Sequence, residues 1–391
     1  MGFQILLPRA AAFRTPAGDS TLTFHQDFTQ SSLANAAIVG PTLTFARATS
    51  ATYFDSSAVL QTASSGTARV AAHIYNGGSA VNKGVLVEEA ATNLMLWNRD
   101  WTDAVYTATN ITAAKDATGL DNSANAASSL TASAGNGTIF QTITLTSAAR
   151  TSSVYVKRKT GTGTIEFSDD GGSTYTDITS SLSSSVWFRT SKTTTQANPS
   201  IGFRITTSGD AIEVDYGQCE ARSFITSPIA TTTASVTRNA DVLGFPTDTS
   251  AWWDDDTATH FTEAYFLAGT DNTSREIWQF ELDSPNPKWE VVSSGNSQIT
   301  WSDLSLSGGS ITSETDVKIA WAFDAGVPEA AQYINGSAAG TDISFTLAAM
   351  NGNNLYWHDS GGSGTNFNGF MKTYKAYNVR KNNTFLASET S

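Results

Sequence analysis

Two adjacent carboxylates, Glu88 and Glu89, stand between apolar runs in the stretch GVLVEEAATNLMLWNRDW at 84–101. A glycoside hydrolase needs two carboxylates facing each other across a sugar, roughly 5–10 Å apart. Neighbours on a strand point to opposite faces, so these two cannot be that pair together, and either would need a distant partner. The competing expectation is one exposed carboxylate and one held locally by a hydrogen bond or ion pair, with Arg99 or Lys83 as partner. Asp254, Asp255 and Asp256 follow two tryptophans and offer hard oxygen ligands at a density that can hold Ca²⁺. They lack the alternate spacing and central glycine of an EF-hand loop, so a solvated acidic turn is the other reading; no further cofactor is implied. Trp357 opens the Gly-rich WHDSGGSG, which brings Ser, His and Asp close in sequence. No nucleophile elbow or phosphate-loop lysine accompanies them, so the stretch reads as a rim loop. The single Cys219 has no disulfide partner and reads as a small buried hydrophobe.

A different chemistry is sugar binding, in which aromatic faces stack on pyranose rings and amide or carboxylate groups bond the hydroxyls. Trp97, Trp101, Tyr155, Tyr175 and Trp187 are the candidates in the middle of the chain, each against the reading that a sandwich aromatic belongs to the core. Trp253 and Trp357 are the candidates further on, because each stands beside polar turn residues and not inside an alternating strand. The segment Ser168–Tyr175 fits the pattern S-x-D-x-G-x-T-aromatic, the "Asp box" turn found in sialidases and in unrelated β folds. A single copy predicts a hairpin turn, with Asp170 bonding turn amides and Gly172 at positive φ.

These residues must be placed by strands. Charged residues make up only 15% of the 391, and Ser, Thr, Asn and Gly fill the deficit, which favours strands and turns over salt-bridged helices. Short β-prone pieces with turn residues between them recur along the whole chain. The fold class is therefore all-β: two antiparallel β-sandwich (jelly-roll) domains preceded by a β-rich N-terminal segment. The expected boundaries are 1–90 for the N-terminal segment, 91–240 for a first jelly roll and 241–391 for a second sandwich. In the second, Ile319, Trp321 and Phe323 alternate with alanines, predicting a strand with one very apolar face, and Asn335-Gly336 is a strong hairpin signal. Residues 1–40 carry too little periodic pattern for a core of their own and are expected to order only against another subunit or another protein of the same assembly. The net charge of −13 and the lack of a Lys/Arg cluster argue against nucleic acid. The apolar run Phe3–Leu7 is too short for a signal peptide or membrane span, so no membrane insertion is expected.

Three separated stretches carry a resemblance. FARATSATYFDSSAVLQTASSGTAR, GVLVEEAATNLMLWNRDW and SFITSPIATTTASVTRNADV resemble, in that order, a pattern in virion proteins of tailed bacteriophages. The matching residues are Phe45, Arg47, Ala48, Thr52, Tyr53 and Asp55; Gly84 to Glu89 with Thr92, Asn93 and Leu94; and Thr226, Ser227, Pro228, Ile229, Thr237, Arg238, Ala240 and Asp241. Ala91 stands where an arginine is usual and Ser227 where a tyrosine is. The part between the flanks resembles carbohydrate-binding modules. The last part resembles a concanavalin A-like, laminin-G-like lectin domain, on Ile319–Phe323, Tyr333–Gly336 and Phe367–Tyr377. The resemblance implies a virion protein without a catalytic role for the glutamates, a tail fibre or receptor-binding component that contacts host surface glycans. It would bind other virion proteins through residues 1–40 as a homo-oligomer, with a trimer favoured. A capsid decoration or head-fibre protein with purely structural modules is the alternative, and a glycan depolymerase is a third.

Overall fold

The computed structural model describes residues 19–40, 42–245, 254, 256–267, 275–280, 288–347, 355–357 and 367–391. Antiparallel sheets dominate, and the described residues are all-β apart from short helical turns and a C-terminal helix, Asn383–Glu389. It divides into two compact units: 45–242 with 368–370, and 1–44 with 243–367 and 371–391. Among the described residues no helix is long and apolar enough to cross a membrane.

In the unit built on 45–242, two five-stranded sheets face each other. One has the order Ile111–Ala117, Ala127–Ala132, Ala211–Glu220, Ala148–Thr160, Phe188–Gln196. The other runs Thr176–Asp177, Ile165–Ser168, Ser200–Ile205, Gly137–Thr142, Thr107–Thr109. Alternation does the packing: Ile139, Ile165, Phe167, Ile201, Phe203 and Ile205 of the second sheet are at most 1% exposed and meet Leu130, Val154, Val156, Ile212 and Val214 of the first. Residues 45–90 do not form the separate segment expected from the sequence. Phe54 and Leu60, from the hairpin of Ala51–Phe54 and Leu60–Ala63, bury in one cluster with Ala117, Leu120, Ala127, Tyr155, Trp187 and Tyr216. Tyr75 adds a hydrogen bond from Trp187 N to its hydroxyl at 2.9 Å. Phe54, Leu60 and Tyr75 of the hairpins in 45–90 are thus packed into this unit.

The other unit also joins distant parts of the chain. Strand Leu22–Asp27 pairs antiparallel with Gly369–Tyr377, Leu22 opposite Tyr377 and Asp27 opposite Thr373. Phe24 is fully buried against the rings of Phe245 and Tyr374, at 5.5 and 5.9 Å. The expectation that residues 1–40 order only against another subunit is therefore corrected for 19–40, whose partner is the chain's own last strand; residues 1–18 lie outside the described residues. Strand Asp316–Asp324 is buried on both faces, not one. Ile319, Trp321 and Phe323 fill the interior, and the flat alanine face at Ala320 and Ala322 receives Leu386 of the C-terminal helix. Asn335 and Gly336, at φ +46° and +79°, turn Glu329–Ile334 into Ser337–Asp342 as a two-residue hairpin.

Candidate functional site

The two glutamates part company as strand geometry requires. Glu88 is fully buried, while Glu89 is half-buried with its carboxylate 3.6 Å from Arg222 Nη1. Glu88 accepts from Arg69 Nη1 at 2.6 Å, from Ser227 N at 2.7 Å and from Ser227 Oγ at 2.6 Å, with Arg238 Nη2 at 3.6 Å. Arg69 also bonds Asp241, and Asp241 in turn takes Arg47 Nη1 at 2.8 Å and the Glu88 backbone N–H at 2.9 Å. Of the expected partners, Arg99 forks instead onto Asp121 and Asp215, and Arg69, missed from the sequence, holds Glu88. Burial alone would raise the Glu88 carboxyl, but the Arg238 and Arg69 charges and the Ser227 hydrogen bonds outweigh it and hold the group down to about 2. A carboxylate with no exposed surface and every oxygen engaged has no path to a sugar.

The same interactions explain the three motif stretches. Arg47, Glu88, Ser227, Arg238 and Asp241 form one ion network, and Thr52 Oγ1 donates to Pro228 O at 2.6 Å. Asn93 finishes the junction, donating to Gly217 O and Ile229 O and accepting from Met95 N and Cys219 N. Cys219 is fully buried, as expected of a small hydrophobe, and burial pushes its thiol up to about 11.

The aromatic candidates separate by exposure. Trp101 is only 1% exposed, its ring stacked on Tyr106 at 4.5 Å, so it is corrected from sugar platform to core. Tyr155 and Trp187 are corrected likewise, being buried in the cluster that takes in Phe54 and Leu60. Trp97 is half-buried at φ +48° and packs against the core. Trp357 contributes backbone to strand Leu355–Trp357, while its side chain, and Trp253 and Asp255 entirely, lie outside the described residues. Asp254 accepts from the N–H of Asp256 at 2.9 Å and of Thr257 at 3.2 Å, a local turn. Among the described residues no group of three or more His, Cys, Asp or Glu is placed to hold a metal.

Tyr175 is the described candidate with an open setting. The turn before it is the predicted one: Asp170 Oδ1 accepts from Ser168 Oγ at 2.8 Å and Thr174 N at 2.9 Å, Ser168 Oγ accepts from Gly172 N at 2.9 Å, and Gly172 has φ +87°. Burial works to raise the Asp170 carboxyl, but the bonds from Thr174 and Ser168 outweigh it and bring the group down to about 2. The turn leaves Tyr175 half-buried, with Arg204 3.9 Å above its ring, and Glu166 holds Arg204 through Nε. Elsewhere in the unit a groove of about 620 Å³ runs between Leu94, Leu96, Val105, Ile143, Thr142 and Thr144, and its lining has no carboxylate.

No family model matches the chain, and no curated protein matches it either. Several solved structures are similar over about a third of it. The CBM40 domain of the Ruminococcus gnavus IT-sialidase, bound to alpha2,3 sialyllactose, is 10% identical over 35% of this chain and 83% of its own, with a TM-score of 0.31. The botulinum neurotoxin serotype G binding domain is 15% identical over 38% of this chain and 39% of its own, at 0.30. The NanB sialidase from Streptococcus pneumoniae is 10% identical over 36% and 24%, at 0.31. Likenesses this low carry no argument about what this chain binds.

Proposed function

We propose that the chain is a non-enzymatic structural protein of a tailed-phage particle whose β-sandwich units present a glycan-binding surface, as in a tail fibre or receptor-binding component. The observation that supports this most is the convergence of the three motif stretches on one buried ion network. Residues that the phage resemblance singles out across some 200 positions have one shared physical role, holding the ends of a sandwich together. That role accounts for the glutamates without catalysis, and the groove lined by aliphatic side chains and hydroxyls offers no carboxylate for hydrolysis. A half-buried tyrosine stacked on an arginine supports the binding role, since both groups serve sugar faces and hydroxyls.

The test has two arms. Labelled protein should bind host cells and be removed by soluble host surface glycan, and antibody to it should mark the tail of intact particles. Marking of the capsid with no cell binding would replace this reading by the decoration protein. Release of reducing sugar from the glycan would replace it by the depolymerase. The proposed oligomer, a homotrimer, is checked by sedimentation of the intact protein.

A further inference from the structure

We propose that the solvent-facing side of the sheet bearing Tyr175 is the binding site and that its ligand is a neutral glycan, built of uncharged pyranoses; this rests on the glycan-binding reading above. Strand register assigns the face. Ile165, Phe167, Ile201, Phe203, Ile205 and Ile139 point into the core, so their neighbours point outward. Thr142 stands opposite Ser200, with their hydroxyls 2.8 Å apart. The next outward row is Phe140, Gly202 and Ser168, and the one after it is Thr138, Arg204 and Glu166. Phe167 pairs with Thr176, which places Tyr175 at the end of the row of Phe140.

Phe140 breaks the pattern of this face. Its outward neighbours along the strand are threonines, as a solvated sheet face favours. It is half-buried and is not among the side chains packed on the unit's core. Its ring lies over Gly202, where a Cβ would come within 2.7 Å of Phe140 Cδ1 and would collide with the backbone oxygen of Ile139. Small residues, Gly202 and Ser168, therefore separate two aromatic side chains whose strands are three spacings apart, roughly 14 Å. Gly202 and Ser168 are themselves covered, so the face offers two half-buried rings set apart and not an open trough, each ring suited to the C–H face of a sugar.

Charge decides the class of sugar. On this face of the strands Gly137–Thr142, Ser200–Ile205 and Ile165–Ser168 the ionic groups are Arg204 and Glu166, bonded through Nε and Oε2, a pair of zero net charge. That contact uses neither Nη of Arg204 nor Oε1 of Glu166, which present two donors and an acceptor side by side, the complement of vicinal hydroxyls. Asp177, across from Glu166, adds a negative charge at the rim. In a chain of net charge −13, a carboxylated glycan would meet repulsion with no unpaired cation on the face to offset it.

The test uses the intact protein on an array of neutral gluco-, galacto- and manno-oligosaccharides beside uronic- and sialic-acid-containing ones, followed by calorimetric titration with the best binder. Neutral probes should bind. Tyr175→Ala, Arg204→Gln and Phe140→Leu, the last keeping an apolar cover on Gly202, should each weaken binding about tenfold or more at an unchanged melting temperature. Preference for the carboxylated probes would overturn the ligand class, and neutral binding unaltered in all three variants would overturn the site; glycan binding itself survives both results. Failure to bind any probe would overturn this inference and the glycan-binding reading together.

Discussion

Glu88 and Glu89 are adjacent in sequence and differ entirely in energetics. Glu88 sits among Arg69, Arg238 and Ser227 with no solvent exposure, so a neutral amide there leaves buried guanidinium charge uncompensated. Glu88→Gln should cost about 3–5 kcal/mol, the usual penalty for breaking a buried pair from one side. Glu89→Gln weakens a longer contact to Arg222, 3.6 Å between partly exposed groups, and should cost under about 1 kcal/mol. Urea denaturation of the two variants checks this, and equal losses would show that the network does not hold the unit. The sequence made it plain that the two could not act as one catalytic pair. It did not reveal which was buried or that Arg69 was the partner, because Arg69, though it closes the first recognised stretch, is not among the matching residues and meets Glu88 through sheet pairing.

Strands and turns whose determinants are local were legible from the sequence, and elements whose determinants are distant were not. The Asp-box turn and the Asn335-Gly336 hairpin follow from side chains and backbone freedom within a few residues, and both are present as expected. Leu22–Asp27 shows only a short alternation, and its stability comes from a strand some 350 residues away. Phe24→Ala should therefore destabilise the unit by about 3–5 kcal/mol, as the emptied space lies between the Phe245 and Tyr374 rings. A melting temperature unaffected by this change would mean that residues 19–40 are held by another subunit after all. The alanines at 320 and 322 likewise looked like a plain strand face until the C-terminal helix was seen to lie on them.

For the molecule as a whole, two fully buried groups contribute to the response to acid. His260 is stacked on Trp321 at 4.6 Å with Nδ1 2.8 Å from the Tyr374 hydroxyl, and burial lowers its pKa from 6.5 to about 3. An unfolded chain takes up that proton near 6.5 while the folded one resists, so this contribution is present above 6.5 and is lost as pH falls from there toward 3. Glu88, ordinarily near 4.5 and here near 2, contributes stability that is present above 4.5 and is lost as pH falls toward 2, on the order of 3 kcal/mol in all. Stability should thus decline in two stages on acidification, first below about 6.5 and more steeply below about 4.5. In melts across this range His260→Gln should flatten the first stage and leave the second in place; a single decline starting below about 4.5 in the parent protein would remove His260 from this account.

The sequence by itself determined the all-β class, the local turns and the fate of Cys219, since each depends on composition, period-two alternation or a few neighbouring residues. It also marked Arg47, Glu88, Asn93, Ser227, Arg238 and Asp241 as belonging together. Only the tertiary structure decided what joins them, which aromatic rings are core and which face solvent, and that residues 45–90 and 19–44 belong to the bodies of two different units. Burial and strand pairing are made between segments far apart in the chain, and no local pattern of residues says which distant surface will cover them.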